Sequence, residues 1–157
     1  MKLITKELLD TVTKQAQAHP RLRMNYNLHD SLSAPIHRLL NVLEPDTYLP
    51  PHRHPDKEET YMIVRGNLLT FFYDDNGNIT LWTRLNPADG YYGIEVPPNT
   101  WHNIVSLESG TTIFEVKSGP YMPLAPEDIA PWAPKSTDAE GIARFRQQLL
   151  ASISMDK

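Results

Sequence analysis

From Ile36 to Lys117 the chain is cut into short pieces, and that punctuation limits what it can build. Turn signals fall at Glu44-Pro45-Asp46, Arg65-Gly66-Asn67, Asp75-Asn76-Gly77-Asn78, Asn86-Pro87-Ala88-Asp89-Gly90, Pro97-Pro98-Asn99 and Ser109-Gly110. The segments between them suit strands, which need only about 4–8 residues, and are too short for stable helices. Their pattern predicts strands over 36–43, 47–52, 60–65, 68–73, 79–84, 92–96, 101–106 and 111–117. Asn76-Gly77 is a strong hairpin signal, because both residues tolerate positive φ. Many short strands at this spacing make the chain mainly β, a sandwich or barrel.

The flanks differ. Leu3, Ile4, Leu8, Leu9 and Val12 recur at helical spacing and predict a helix over 3–18, with Thr5 as a cap. His19-Pro20 ends it, since a residue before proline avoids the α region. Residues 21–35 are polar and aperiodic and read as an ordered loop. Residues 118–137 carry five prolines and read as an extended segment anchored by Tyr121 and Trp132. Ile142, Phe145, Leu149 and Leu150 predict a closing helix over 138–153. No repeat or change of texture marks a second domain. The expectation is one domain over 1–157, with its barrel at about 36–117 and a C-terminal extension and helix over 118–157.

Composition removes several function classes. The chain has no cysteine, so thiolate metal sites and cysteine nucleophiles are excluded. Net charge is −4 and the basic residues form no long run, which argues against nucleic acid and membrane surfaces as partners. The polar N-terminus lacks the apolar core of a signal peptide, so the expected location is the cytoplasm.

The chemistry sits in Pro50-Pro51-His52-Arg53-His54-Pro55-Asp56-Lys57-Glu58-Glu59. Side chains alternate along a strand, so His52 and His54 face the same way, roughly 7 Å apart. Imidazoles at that separation can converge on one ion with bonds of about 2.0–2.1 Å. A carboxylate five residues on can return from the next strand, and His102 can supply a third imidazole from a distant one. Three nitrogens and one carboxylate oxygen suit first-row divalent metals and leave positions open for a ligand. Singly these residues are weak signals. A lone His-x-His is usually a surface pair, and His102 after Trp101 could simply hold a turn. Their conjunction at strand ends of one barrel gives the signal its weight.

These residues resemble the two cupin motifs. The first runs Gly, five residues, His-x-His, three or four residues, Glu, six residues, Gly; here it reads Asp46, His52-Arg53-His54, Glu59, Gly66. The second runs Pro-x-Gly, two residues, His, three residues, Asn; here it reads Pro97-Pro98-Asn99, His102 and Ser106. Asp46 and Asn99 replace glycines, and Asp and Asn are the residues that best mimic glycine in turns. Glu59 fits better than Glu58, because it lies seven positions before Gly66, with six residues between them; the three-or-four spacing alone allows both. The runs RLRMNYNLHDS, HRLLNVLEPDTY, VPPNTWHNIVSLESGT, FEVKSGPY and APWAP are further similar to the WbuC-type cupin-fold metalloproteins.

The resemblance implies a cupin barrel, a double-stranded β-helix or jelly roll, with flanking helices at both ends. It also implies one divalent metal ion (Zn, Fe, Ni or Mn) on His52, His54, Glu59 and His102. Its members often accompany genes for surface polysaccharide synthesis, which points toward a sugar-related role. Two functions follow as expectations. One is a metal-dependent enzyme on a small sugar-like or carboxylated substrate, an isomerase, epimerase or dioxygenase. The other is a small-molecule sensor without catalysis.

Further site candidates are softer. Tyr61 shares the face of Glu59 and is a proton-transfer candidate, with core packing as the plainer reading. Glu115 is a second candidate, although the alternation of Phe114 and Val116 would put it outside. Arg21, Arg23, Asn25, Tyr26 and Asn27 could lid the barrel mouth and bind a ligand, or pack on its outside. His19, His29 and His37 read as surface or turn histidines. A homodimer is expected, because barrels of this kind expose strand edges that invite pairing.

Overall fold

The computed structural model describes residues 1–153. Helix α1 (Lys6–Ala18) leads into eight strands: β1 (Arg23–Asn27), β2 (Ile36–Leu43), β3 (Glu59–Arg65), β4 (Leu68–Tyr73), β5 (Ile79–Leu85), β6 (Gly93–Val96), β7 (Trp101–Ser106) and β8 (Thr111–Ser118). Helix α2 (Ala139–Ser152) closes the described chain. The strands form two antiparallel sheets, ordered β1-β2-β8-β3-β6 and β5-β4-β7. With a helix at each end, this is the cupin jelly roll expected from the motifs.

Thr5 caps α1 by accepting a hydrogen bond from the Leu8 amide, so the helix starts at Lys6 rather than Leu3. Two other expectations change. Residues 23–27 are a strand, not a loop: Arg23 pairs with Leu43 and Asn27 with Leu39 along the edge of β2. Asparagines are poor strand formers, and tertiary pairing overrides that preference here. Residues 47–52 form no strand beyond isolated bridges at His52, because Pro50 and Pro51 have no amide hydrogens for a ladder.

Each helix covers an outer sheet face. Val12 and Ala16 of α1 pack on Val42, with Met24 and Tyr26 alongside. Leu149 of α2 joins Leu69, Phe71, Tyr73, Trp101 and Val105, with Trp132 of the extension packed against them. This explains why Leu68–Tyr73 is an unbroken apolar and aromatic run with one threonine, since β4 is buried on both faces. Between the sheets, Leu43, Ile63, Leu68, Phe72, Ile104 and Ile113 plug one end of the barrel. The other end is polar.

Two turns frame the barrel, Gly66 at the apolar end and Asn99 at the polar one. Gly66 has φ +89°, and a Cβ there would sit 2.5 Å from Thr111 Oγ1 and 2.8 Å from its Cα. Gly66→Ala is therefore expected to cost about 2 kcal/mol, from left-handed strain and the clash together. Urea denaturation checks this, and an unchanged midpoint would refute it. Asn99, standing where the motif has glycine, takes φ +57°. Its amide donates to the carbonyl of His54 at 2.7 Å, tying this turn to the histidine loop.

Candidate metal centre

His52 and His102 are joined through their backbones. The amide of each donates to the carbonyl of the other, at 3.0 and 2.9 Å. Residues directly opposite in an antiparallel pair project to the same side, so both imidazoles enter the barrel. Arg53, between the two histidines of the first motif, is held elsewhere: its Nε lies 3.3 Å from Asp128 Oδ1, and its guanidinium stacks 4.4 Å from the Trp101 ring centroid. Anchoring Arg53 fixes the loop on both sides of it.

The rings are also oriented. His52 Nδ1 donates to the carbonyl of Pro50 at 3.0 Å, and His102 Nδ1 donates to that of Thr100 at 2.8 Å. A carbonyl can only accept, so Nδ1 carries a hydrogen in each ring and Nε2 is the nitrogen facing Glu59 and available to a metal. Metal-binding histidines are commonly held this way. Burial, with a smaller contribution from His102, lowers the pKa of His52 to about 3, so it is neutral near pH 7.

Glu59 enters from the start of β3 and is almost fully buried. Its Oε2 lies 3.4 Å from His102 Nε2 and accepts the Tyr61 hydroxyl; its Oε1 lies 3.0 Å from His54 Nε2 and 2.7 Å from Lys117 Nζ. Burial opposes its ionisation, but His102, His54 and Lys117 outweigh that and hold the carboxyl well below the usual range. Glu58, one residue away, is exposed.

The ligand atoms of His52, Glu59 and His102 all lie within 4.8 Å of one another. Ligands around an ion with bonds of about 2.1 Å stand roughly 3–4 Å apart, so a modest closure suits a first-row metal. His54 stands just outside this triangle. Its Nε2 is buried, close to Glu59, and without an aligned hydrogen bond. An orphaned buried nitrogen beside a carboxylate fits a fourth ligand better than a packed core residue. The nitrogen and oxygen donors present therefore fit a divalent ion.

Other expected residues fall out differently. The Tyr61 ring belongs to the barrel core, and its hydroxyl reaches the site, 3.1 Å from His102 Nε2. Glu115 faces inward, against the expectation from Phe114 and Val116, which are only half-buried on the outer face. On β8 the inner face runs Ile113, Glu115, Lys117, from apolar plug to polar site. Lys117 Nζ lies 2.7 Å from Glu115 Oε1 as well as from Glu59. Lys117 was not singled out from the sequence; its i,i+2 relation to Glu115 was the available signal.

Arg23, Asn25 and Asn27 line a cavity of about 230 Å³ shared with the metal-facing residues, whereas Tyr26 packs under α1. His29 and His37 are not surface residues. Both are buried, stacked with ring centroids 4.1 Å apart, and both line that cavity. A wider cavity of about 650 Å³, bordered by residues 118 and 120–125, adjoins at the mouth.

A family model described as "Domain of unknown function (DUF6016)" matches residues 4–85, more than half of the chain. The chain belongs to this family. The match spans α1, the first motif and the strands through β5, so the family frame includes His52, His54 and Glu59 but stops short of His102. No curated protein matches the chain. Among solved structures, it is similar to KdgF from Halomonas sp., at 17% identity and TM-score 0.52 over 66% of this chain and 84% of that one. TT1209 from Thermus thermophilus gives 17% identity and TM-score 0.52, over 75% and 97%. SPY1581, a protein of unknown function from Streptococcus pyogenes, gives 11% and 0.51, over 77% and 90%. At these identities the likeness carries the fold. Among the described residues, no helix is long and apolar enough to cross a membrane.

Proposed function

We propose that this chain is a metal-dependent enzyme acting on a small sugar-like or carboxylated molecule held inside the barrel. The observation that carries this reading is the convergence of His52, Glu59 and His102 with their imidazole lone pairs set toward one point. His54 completes the set. A divalent ion there would polarise a carbonyl or hydroxyl oxygen of the bound molecule.

The protein's own groups supply the rest. Burial, reinforced by Glu59 and Glu115, raises the Tyr61 pKa well above its usual value, so its hydroxyl keeps its proton and acts as a donor. Glu115 is the carboxylate placed to accept a proton, with Lys117 holding it in position. A protonated donor and a carboxylate beside one site suit proton transfer next to a carbonyl, as in an isomerase or epimerase. The sensor reading needs only a pocket and a metal, and gives Tyr61, Glu115 and Lys117 no task. A dioxygenase would instead require iron.

The resemblance of its sequence to WbuC-type proteins supports a role near surface polysaccharide metabolism. Elemental analysis of protein purified without a histidine tag tests the core of the proposal. About one equivalent of a single first-row metal is expected, and metal-free protein that takes up none would sink it.

A homodimer is proposed alongside. Met62 and Val64 are exposed on the outer face of β3, beside the half-buried Phe114 and Val116 of β8, and neither helix covers them. Sizing by light scattering should give twice the chain mass at micromolar concentration; a monodisperse monomer would count against it.

A further inference from the structure

The cavity has a second pole, away from the imidazoles. Its lining includes three cations, Arg21, Arg23 and Lys117, against two carboxylates, Glu59 and Glu115. Lys117 is engaged by both carboxylates. No carboxylate lies within ion-pair reach of Arg21 or Arg23 among the described residues. The cavity thus carries an excess positive charge in a chain whose net charge is −4, and a divalent ion would raise it further.

Arg23 is the more telling of the two arginines. It is half-buried, and burial with Arg21 nearby lowers its pKa to about 10. It lines both the inner cavity and the mouth, so it stands at the neck between them. Only Nη1 is engaged, on the carbonyl of Tyr48 at 2.7 Å and on Thr47 Oγ1 at 3.3 Å. These contacts steer the guanidinium and leave its other nitrogens without protein partners among the described residues. A half-desolvated cation held in place without a counter-charge is costly unless an anion visits it. Asn25 and Asn27 follow on the same face of β1, and Asn25 pairs in register with Asn41 of β2. Such amides can both donate to and accept from hydroxyls. The cavity holds roughly eight waters' worth of space at ~30 Å³ each, about one sugar ring.

We propose that Arg23, with Arg21 at the rim, anchors a carboxylate or phosphate group of a hydroxyl-rich ligand of monosaccharide size, whose opposite end reaches His52, Glu59 and His102. This deepens the functional reading above and rests on it for the identity of the site, but the anion anchor can be tested without the metal.

Protein stripped with chelator and dialysed is titrated calorimetrically with D-glucuronate, D-glucose 6-phosphate and neutral D-glucose. At least one anionic probe should bind roughly tenfold or more tighter than glucose. Preference for glucuronate identifies a carboxylate, and preference for glucose 6-phosphate a phosphate. Arg23→Gln should weaken the preferred probe by roughly ten- to a hundredfold and leave glucose unchanged. Asn25→Asp, an isosteric change at an exposed position, should weaken the anion similarly by repulsion, and serves if Arg23→Gln fails to fold. Equal affinity for glucose and the anions, binding of neither anion, or full anion affinity in both variants would overturn the proposal. Metal content of the same samples is read separately. Failure of the stripped protein to take up an added first-row divalent ion, with intact anion selectivity, would refute the metal-enzyme reading and leave the anchor standing.

Discussion

His102→Ala is expected to take the purified protein from about one equivalent of divalent metal to less than about a tenth, with the barrel still folded. The reason is the way the site is assembled. His52 and His102 share a reciprocal backbone pair, and each ring is fixed by a carbonyl two residues upstream. Deleting one imbalances the triangle and leaves Glu59 with a single oriented imidazole within it. The apolar plug and the α2 face lie apart from the ligand atoms, so circular dichroism should be unchanged.

Glu59→Gln should weaken binding by about a hundredfold or more, since it removes the only carboxylate in the triangle and the charge that attracts the ion. His54→Ala should cost less, about tenfold, because His54 approaches Glu59 without joining the other two. Glu58→Gln should leave occupancy unchanged. Metal quantified by mass spectrometry after dialysis decides each case. Full occupancy in His102→Ala and Glu59→Gln would move the site elsewhere, and loss on Glu58→Gln would overturn the choice of Glu59.

Much of the barrel was legible because turn chemistry is local. The bounds 36–43, 68–73 and 101–106 read from the sequence are those of β2, β4 and β7. Asn99 took the left-handed conformation that the motif reserves for glycine. What escaped depends on pairing and on position along the barrel. β1 reads as loop because its asparagines become strand residues only against β2. Glu115 was placed outside by an alternation rule that assumes the inner face is apolar along its whole length. In this barrel the inner face changes character between Ile113 and Glu115. His29 and His37 have no partner at ligand spacing in the sequence, yet the β1–β2 connection brings their rings together.

The same polar inner face gives the largest stability effect. Lys117→Met is expected to destabilise metal-stripped protein by about 3–5 kcal/mol near pH 7, the scale of a buried ion pair that loses one partner. Lys117 Nζ lies 2.7 Å from both Glu59 and Glu115, and both carboxylates are at most 8% exposed as side chains. Burial opposes the charge on Lys117, but Glu115 and Glu59 outweigh it and raise its pKa. In the parent protein Glu59 titrates well below its unfolded value. Its contribution is therefore present above about pH 4.5 and lost as pH falls toward the folded value. Without Lys117 the buried Glu59 carboxylate takes up a proton more readily. The gap between the two proteins should accordingly be widest from about pH 6 to 9 and shrink in acid. A divalent ion supplies positive charge at the same carboxylate, so saturating metal should narrow the gap at pH 7. Urea denaturation of stripped and metal-loaded samples at two pH values measures all of this. Equal stability of the two stripped proteins at pH 7 would show that Glu59 and Glu115 do not depend on Lys117. A gap that widens in acid would reverse the assignment of which groups carry the charge.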